Sequence, residues 1–429
     1  MKPNNNKQHP CLPWIVWGLS ALFYFYEYLL QVSPTVMVAD LMRSFSITAA
    51  TLGNLTAFYF YAYASTQMPI GVFLDRFGPR KLLTIAAITC GIGCFLFGTS
   101  TGLTQAIISR TLIGLGSAFA SISCMNLAAR WFHPKMFAFL TGLMLTIGML
   151  GAIFGEAPLA IMVDHYGWQH TIIFFGFVGI AIAMLIWLIV RDRPTTQNDS
   201  VKNIAKPSLF AGIKIIIKSK QTWIAALYGA FSFAPTTTFG ALWGVPFLMR
   251  AYHISKPAAA GMMSFIFVGW AIGAPLFGWF SDFIGRRKSP MLFGTFIAFL
   301  CLSFVIYIPN LPHTFLILFL FGFGFFSSSL ALSFSVTREI NPTEYSGTTL
   351  GFTNMLNMVS GAIAQPLIGI ILDYLWQGGM SNGIRIYSLH NYQISLAALP
   401  IFLFIAFLLV FPIQETFCLP LEEQLKREP

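Results

Sequence analysis

Long apolar blocks dominate this chain of 429 residues and constrain its fold more than any other feature. Each block holds about 20 residues, the length at which an α-helix crosses the hydrocarbon layer of a bilayer. Hydrophobic residues make up 56% of the sequence and charged residues 9%, which is too little charge to cover a soluble protein of this size. A transmembrane β-barrel would instead show short alternating segments of about 10 residues. The sequence therefore predicts an all-α membrane protein.

Breaks at proline, glycine and charged residues divide the apolar blocks into twelve predicted transmembrane helices, called spans 1 to 12 in chain order. The first six cover 14–38, 48–74, 82–99, 103–130, 136–162 and 168–190. The last six cover 222–249, 257–281, 289–309, 313–337, 345–373 and 391–412. We therefore expect an N-terminal six-helix half at 1–190, a cytoplasmic linker at 191–221 and a C-terminal six-helix half at 222–429.

The basic residues are distributed unevenly among the loops. With both termini on one side of the membrane, that side holds 20 of the 25 lysines and arginines. The positive-inside rule then places both termini and the linker in the cytoplasm. The net charge of +10 thus reports topology, and we expect the lipid bilayer, not nucleic acid, as the partner of this surface. Short outer loops are typical of a bacterial inner membrane, where we expect a monomer.

The two halves repeat each other. The stretch "GVFLDRFGPRK" at 71–81 recurs as "GWFSDFIGRRK" at 278–288, and the glycine pair Gly114 and Gly116 recurs as Gly322 and Gly324. Two similar six-helix halves in one chain are typical of a transporter whose substrate site lies between them. The halves are thus predicted to be pseudo-symmetric.

The repeated loop resembles the signature G-x-x-x-D-R-x-G-x-R-K of the major facilitator superfamily. The first copy falls on Gly71, Asp75, Arg76, Gly78, Arg80 and Lys81, and the second on Gly278, Asp282, Gly285 and Arg287. The resemblance covers nearly the whole chain. It implies a secondary transporter similar to bacterial nutrient and organic-anion permeases, in which this loop is a latch that stabilises the outward-open state. The first glycine of each copy should allow close helix packing, and the second a tight turn.

Spans 4 and 5 carry two further family patterns. "SRTLIGLGSAF" resembles the pattern R-x-x-x-G-x-G on Arg110, Gly114 and Gly116, and the resemblance links this arginine to proton coupling or to an anionic substrate. "GMLGAIFGEAPLA" matches the antiporter signature only in part, because Glu156 follows Gly155.

Three ionisable residues lie well inside the predicted spans: Glu27, Arg110 and Glu156. An unpaired charge there costs at least ~2–3 kcal/mol to insert, which makes a functional role the default hypothesis. Arg110 could meet Glu27, Glu156 or the substrate. Since two acids face one base, one carboxyl is in excess and is a candidate proton carrier. We predict that Glu27 and Glu156 couple transport to protons, whereas Asp164 and Asp373 are surface groups at helix ends.

Neutral polar residues extend this set. Tyr24, Glu27 and Gln31 share one face of span 1, as Tyr59 and Tyr63 do on span 2. The second half has no matching charges. The predicted substrate-binding residues are Arg110, Tyr24, Gln31, Tyr59, Tyr63, Trp243, Asn354, Asn357 and Gln365.

These features predict a proton-coupled importer of a small anionic or zwitterionic solute, such as an amino acid, small peptide or organic acid, working by alternating access. A drug or metabolite/proton antiporter is the alternative, and a transporter-like sensor is a third hypothesis. The sequence contains no nucleotide-binding loop and no Cys/His cluster. We therefore expect no enzymatic activity, no metal and no cofactor other than a proton gradient.

Overall fold

A computed structural model describes residues 11–133, 136–192, 209–308, 310–381 and 383–424. Within them, twelve helical spans cross between two faces, as the apolar blocks predict. The first half contains Leu12–Val32, Ala49–Thr66 with Ile70–Phe77, Pro79–Gly98, Leu103–Ser117 with Ala120–Trp131, Phe137–Phe154 with Ala157–Tyr166, and Trp168–Ile189. The second half contains Lys220–Pro235 continuing to Tyr252, Lys256–Ile284, Lys288–Tyr307, His313–Ser327 continuing to Glu339, Ser346–Tyr374, and Leu389–Leu396 with Ala398–Val410.

Ten of the described helical stretches are long and apolar enough to cross a membrane. Span 2 breaks just before Pro69, and span 7 contains a π-helix at Thr236–Trp243 directly after Pro235. A proline lacks the N–H that would continue the helical hydrogen-bond ladder, so both irregularities follow from the sequence. The protein is a multi-pass membrane protein.

Short elements connect the spans. A 3-10 turn at Ser33–Val36 and a helix at Val38–Phe45 follow span 1, where Pro34 ends the regular helix. Met380–Ser381 and Ile384–Arg385 form a small antiparallel hairpin after span 11. A 3-10 turn at Thr343–Tyr345 precedes span 11, and helices at Leu209–Lys218 and Leu421–Gln424 lie beyond spans 6 and 12. Of the predicted linker at 191–221, residues 193–208 are outside the described ranges.

Glycines allow the spans of each half to pack closely. A Cβ at Gly114 on span 4 would overlap the carbonyl oxygen of Tyr59 on span 2, and a Cβ at Gly324 on span 10 would overlap that of Ile266 on span 8. By these contacts Gly114 corresponds to Gly324, because each packs on the second span of its own half. By the sequence repeat, Gly114 corresponds to Gly322 instead. Backbone contact, not ligand chemistry, therefore explains this glycine pattern.

We call the face where spans 1 and 7 begin the terminal face, and the other the opposite face. Ion pairs join the halves at the opposite face. The Lys256 ammonium lies 2.9 Å from Asp164 and 3.1 Å from Asp40. Asp373 of the second half accepts a 2.8 Å hydrogen bond from the backbone N–H of Ala50 in span 2. Asp164 and Asp373 lie at helix ends, as expected, and Asp164 is exposed at the surface, but both also connect one half to the other.

Candidate functional site

Glu27 is buried at the middle of span 1, with 2% of its surface exposed. The Tyr59 hydroxyl on span 2 donates a 2.5 Å hydrogen bond to Glu27 Oε1. Oε2 has no hydrogen-bond partner among the described residues. A charged carboxylate enclosed in this way is costly unless other groups compensate its lost hydration. The predicted neighbours Tyr24 and Gln31 are also buried.

Arg110 is the second buried charge, with 1% of its surface exposed. Its Nη1 donates a 3.2 Å hydrogen bond to the Leu30 carbonyl on span 1, and its Cζ lies 5.1 Å from the centre of the Tyr59 ring. Nε and Nη2 have no hydrogen-bond partner within the described ranges, and no ion pair with Glu27 or Glu156 is present there. Of the three partners that the sequence left open for Arg110, neither glutamate is engaged. Two nitrogens of a buried guanidinium, which together carry three N–H groups, thus remain available to an anion.

Glu156 lies at the break in span 5, between Phe137–Phe154 and Ala157–Tyr166. It is fully buried, and neither carboxyl oxygen has a partner in the described part of the chain. The preceding Gly155 packs directly on span 1, where a Cβ would lie 3.0 Å from the Leu29 carbonyl oxygen. Pro158 lacks an N–H for the carbonyl of Phe154, which accounts for the break. Gly155, directly before Glu156, therefore packs against span 1, and Glu156 makes no ion pair with Arg110 among the described residues.

A polar bridge joins the halves on the terminal side of Glu27. Asn354 on span 11 donates a 2.8 Å hydrogen bond to Oε1 of Gln67 on span 2, and Gln67 Nε2 donates to the Ala118 carbonyl at 3.4 Å. The Tyr63 hydroxyl lies beside Asn354 and Ser121. Of the predicted residues, Tyr63 and Asn354 are thus brought together.

Trp243 and Gln365 close the site toward the opposite face. Trp243 Nε1 donates to the Gln365 carbonyl at 3.1 Å, and Gln365 Nε2 donates to the Thr237 carbonyl at 3.0 Å. Thr35, just beyond span 1, donates to the Leu242 carbonyl at 3.4 Å. These bonds tie the π-helix of span 7 to spans 1 and 11. Because π-helical segments often mark functional sites, this closure is a candidate gate.

The remaining predicted binding residues lie outside these contacts. Tyr24 donates to the Tyr28 hydroxyl at 3.3 Å. Asn357 lies against Gly229 on span 7, and its Oδ1 has no partner in the described ranges. A small cavity of about 30 Å³ lies between the halves. Its lining residues come from spans 1, 5, 7 and 8: Tyr28, Gln31, Val32, Met149, Phe233, Thr236, Thr237, Ala241, Phe267 and Trp270. Sequence reasoning identified Gln31 but not Thr236 or Trp270, which follow no polar stripe.

The two signature loops make different contacts. Gly78 and Gly285 have φ of +79° and +64°, as expected for tight turns. Arg80 donates to the Trp187 carbonyl at 3.0 and 2.6 Å. The side chain of Asp75 lies outside the described residues, as do the surroundings of Gly71. No neighbouring atom comes within 4 Å of a Cβ built at Gly278, so the close packing expected there is absent from this arrangement.

Two acids that sequence reasoning missed, Glu339 and Glu415, bind the second copy. Arg287 pairs with Asp282 at 2.7 Å and with Glu339 at 2.6 Å. Burial by itself would lower the pKa of Arg287, but these bonds, first with Glu339 and then with Asp282, raise it above its usual value. Glu415 accepts a 2.7 Å hydrogen bond from the Arg287 backbone N–H, at the start of span 9.

The first copy has the same backbone cap, since Asp192 accepts a 2.8 Å hydrogen bond from the Arg80 backbone N–H. The sequence signal for both caps is an acidic residue shortly after the last span of each half, which is span 6 or span 12.

Two six-helix halves, joined around a buried arginine and carboxyl, define a membrane transporter and not an enzyme. The chain belongs to the Major Facilitator Superfamily, whose family model matches residues 16–365 and 233–417. The resemblance noted from the signature loops is therefore confirmed.

Two curated relatives match most of the chain. It is 26% identical over 381 residues to a D-galactonate transporter of Escherichia coli O6:H1 (strain CFT073), covering 82% of this chain and 86% of the relative. It is 24% identical over 412 residues to a probable galactarate/D-glucarate transporter of Escherichia coli K12, covering 87% and 89%. The crystal structure of a bacterial homolog of the human lysosomal transporter Spinster, inward-facing and unoccupied, superposes with a TM-score of 0.77 and 17% identity, covering 94% of this chain and 97% of that one. This last similarity supports the fold alone.

Proposed function

We propose that this protein is a proton-coupled importer of a small anionic or zwitterionic solute, with organic acids as the favoured class. The observation that carries the proposal is the buried Arg110 guanidinium, which has two nitrogens without a hydrogen-bond partner and no acid paired with it among the described residues. A buried cation without a counter-charge is costly, so an anion that reaches it gains a strong, charge-assisted interaction. Names of the relatives support this choice, since galactonate, galactarate and glucarate are organic anions.

Glu27 is the first candidate for the coupling proton, and Glu156 the second. Tyr59 connects Glu27 to Arg110, because its hydroxyl binds the carboxyl while its ring lies beside the guanidinium. When Glu27 is protonated, one carboxyl oxygen accepts from Tyr59 and the other can carry the proton. Loss of that proton would place a negative charge beside the anion site and weaken anion binding by repulsion. The site thus favours an anion and a proton together.

Alternating access would exchange the closure at the opposite face for one at the terminal face. Opening would break the Lys256 ion pairs and the hydrogen bond between Thr35 and the Leu242 carbonyl, which join the two halves. The distribution of lysine and arginine supports cytoplasmic termini in a bacterial inner membrane. The opposite face, where the Lys256 ion pairs join the halves, would then be periplasmic. We keep the expectation of a monomer as part of this proposal.

Uptake of labelled D-galactonate into proteoliposomes tests the proposal. An inward-directed proton gradient should drive accumulation, and Arg110→Ala should abolish it. Arg110→Lys should retain little uptake, because an ammonium cannot reproduce the forked guanidinium. Absence of both uptake and counterflow for organic anions would reject a transporter of this class and favour the sensor hypothesis. Efflux of cationic dyes in place of anion uptake would favour the antiporter alternative.

A further inference from the structure

The cavity between the halves is lined by two polar groups that have no hydrogen-bond partner in the described part of the chain. Trp270 on span 8 and Thr236 on span 7 both line it, with 8% and 6% of their surfaces exposed. The Trp270 indole N–H and the Thr236 hydroxyl make no hydrogen bond within the described residues. Leaving a buried donor unsatisfied costs about 1–3 kcal/mol, so two at one cavity call for an explanation.

The hydroxyl of Thr236 lacks the hydrogen bonds to its own helix that the hydroxyl of the neighbouring Thr237 makes. The Thr237 hydroxyl donates back to the carbonyls of Phe233 and Ala234 at 3.3 and 3.2 Å, as threonines in helices often do. Thr236 starts the π-helix and has no such bond. Its hydroxyl is therefore free to bind a ligand.

The chemistry of the lining restricts what this cavity can hold. Gln31 adds an amide, whereas Val32, Met149 and Phe267 make the wall apolar, and no charged residue lines the cavity. A volume of about 30 Å³ accommodates one or two groups the size of water. Trp270 can only donate, while Thr236 can donate and accept. A hydroxyl on a carbon chain satisfies both, but a second carboxylate would be buried without a cation.

Resting on the proposed function, we infer that Trp270 and Thr236 form a hydroxyl-binding subsite, so the substrate is a hydroxylated monocarboxylate, not a dicarboxylate. The carboxylate binds Arg110 and a hydroxyl of the carbon chain occupies the cavity. The subsite thereby discriminates between acids of the same length that differ in their second end group.

Isothermal titration of the purified protein with three six-carbon acids tests this subsite. D-galactonate has one carboxylate and several hydroxyls, hexanoate has no hydroxyl, and galactarate has two carboxylates. The wild type should bind D-galactonate at least about tenfold more tightly than the other two, the effect of one well-made hydrogen bond. Trp270→Phe and Thr236→Val should each weaken D-galactonate by about tenfold and leave hexanoate unchanged.

Trp279→Phe is the matched control, because Trp279 lies on the same helix with 63% of its surface exposed. It should change none of the three affinities. An equal loss for hexanoate and D-galactonate in Trp270→Phe, or equal wild-type affinity for galactarate, would overturn the subsite.

Arg110→Ala separates this inference from the proposed function. If it abolishes binding while Trp270→Phe and Thr236→Val have no effect, the function stands and the subsite is wrong. If the wild type binds none of the acids, both are wrong.

Discussion

The Tyr59 hydroxyl on span 2 donates a 2.5 Å hydrogen bond to the buried Glu27 carboxyl on span 1. The same tyrosine ring lies 5.1 Å from the Arg110 guanidinium carbon, so one side chain contacts both the carboxyl and the cation of the first half. Neither charge has an ion-pair partner among the described residues. A ligand that binds Arg110 can therefore affect the proton on Glu27 through a single intervening residue.

Tyr59→Phe should uncouple these two groups without removing the ring. Glu27 Oε1 loses its hydrogen bond while Arg110 keeps its aromatic neighbour, and we expect proton-driven uptake to fall about tenfold. Initial rates in proteoliposomes at several external pH values measure this. Tyr374→Phe removes a hydroxyl from a residue that is 87% exposed and should change nothing. Normal uptake with a normal pH profile in Tyr59→Phe would contradict the role of this contact.

Lys256→Met should weaken closure at the opposite face. Lys256 is paired with Asp40 and Asp164, but these side chains are partly exposed, so each pair contributes less than about 1 kcal/mol. We expect faster hydrogen–deuterium exchange in the helices Val38–Phe45 and Gly244–Tyr252 and no change in spans 3 and 9. High salt should produce the same effect in the wild type, because it screens exposed charges. Unchanged exchange in both helices would show that the ion pairs do not hold the face closed.

Gly114→Ala should destabilise the first half. Its Cβ would overlap the Tyr59 carbonyl oxygen, and overpacking of this kind costs about 1–3 kcal/mol. A lower melting temperature in detergent is the expected result. Gly142→Ala is the matched control, because nothing lies within 4 Å of a Cβ at that position. Equal melting temperatures for the two variants would refute the close packing of spans 2 and 4.

Glu415→Ala should loosen the start of span 9. The carboxylate accepts from the backbone N–H groups of Arg287 and Lys288, at 2.7 and 3.1 Å. Losing such a cap costs about 1 kcal/mol, so the melting temperature should fall modestly while Glu423→Ala leaves it unchanged. Asp192→Ala should also lower the melting temperature modestly, because Asp192 accepts a hydrogen bond from the Arg80 backbone N–H at the start of span 3. If neither variant lowers the melting temperature, these caps do not stabilise the protein.

Much of the fold could be predicted from sequence because span length and the repeated loops are strong local signals. Gly78 and Gly285 show the positive φ that their turns require. Glu27 could be identified from the sequence because a carboxylate within an apolar span is unusual whatever the rotation of the helix about its axis. The partner of Arg110 could not be predicted, since it depends on helix rotation and rotamer. The ion pair of Asp164 was not predicted because its partner, Lys256, is distant in sequence and lies in the other half.

The central claim is that anion and proton bind and move together, and solute-driven proton uptake tests it most directly. Proteoliposomes containing a trapped pH dye should acidify when D-galactonate is added outside at zero membrane potential. Glu27→Gln should still exchange labelled D-galactonate across the membrane but show no acidification, with Glu156→Gln compared as the second candidate. Acidification of wild-type size in both single variants and in the double variant would contradict the account.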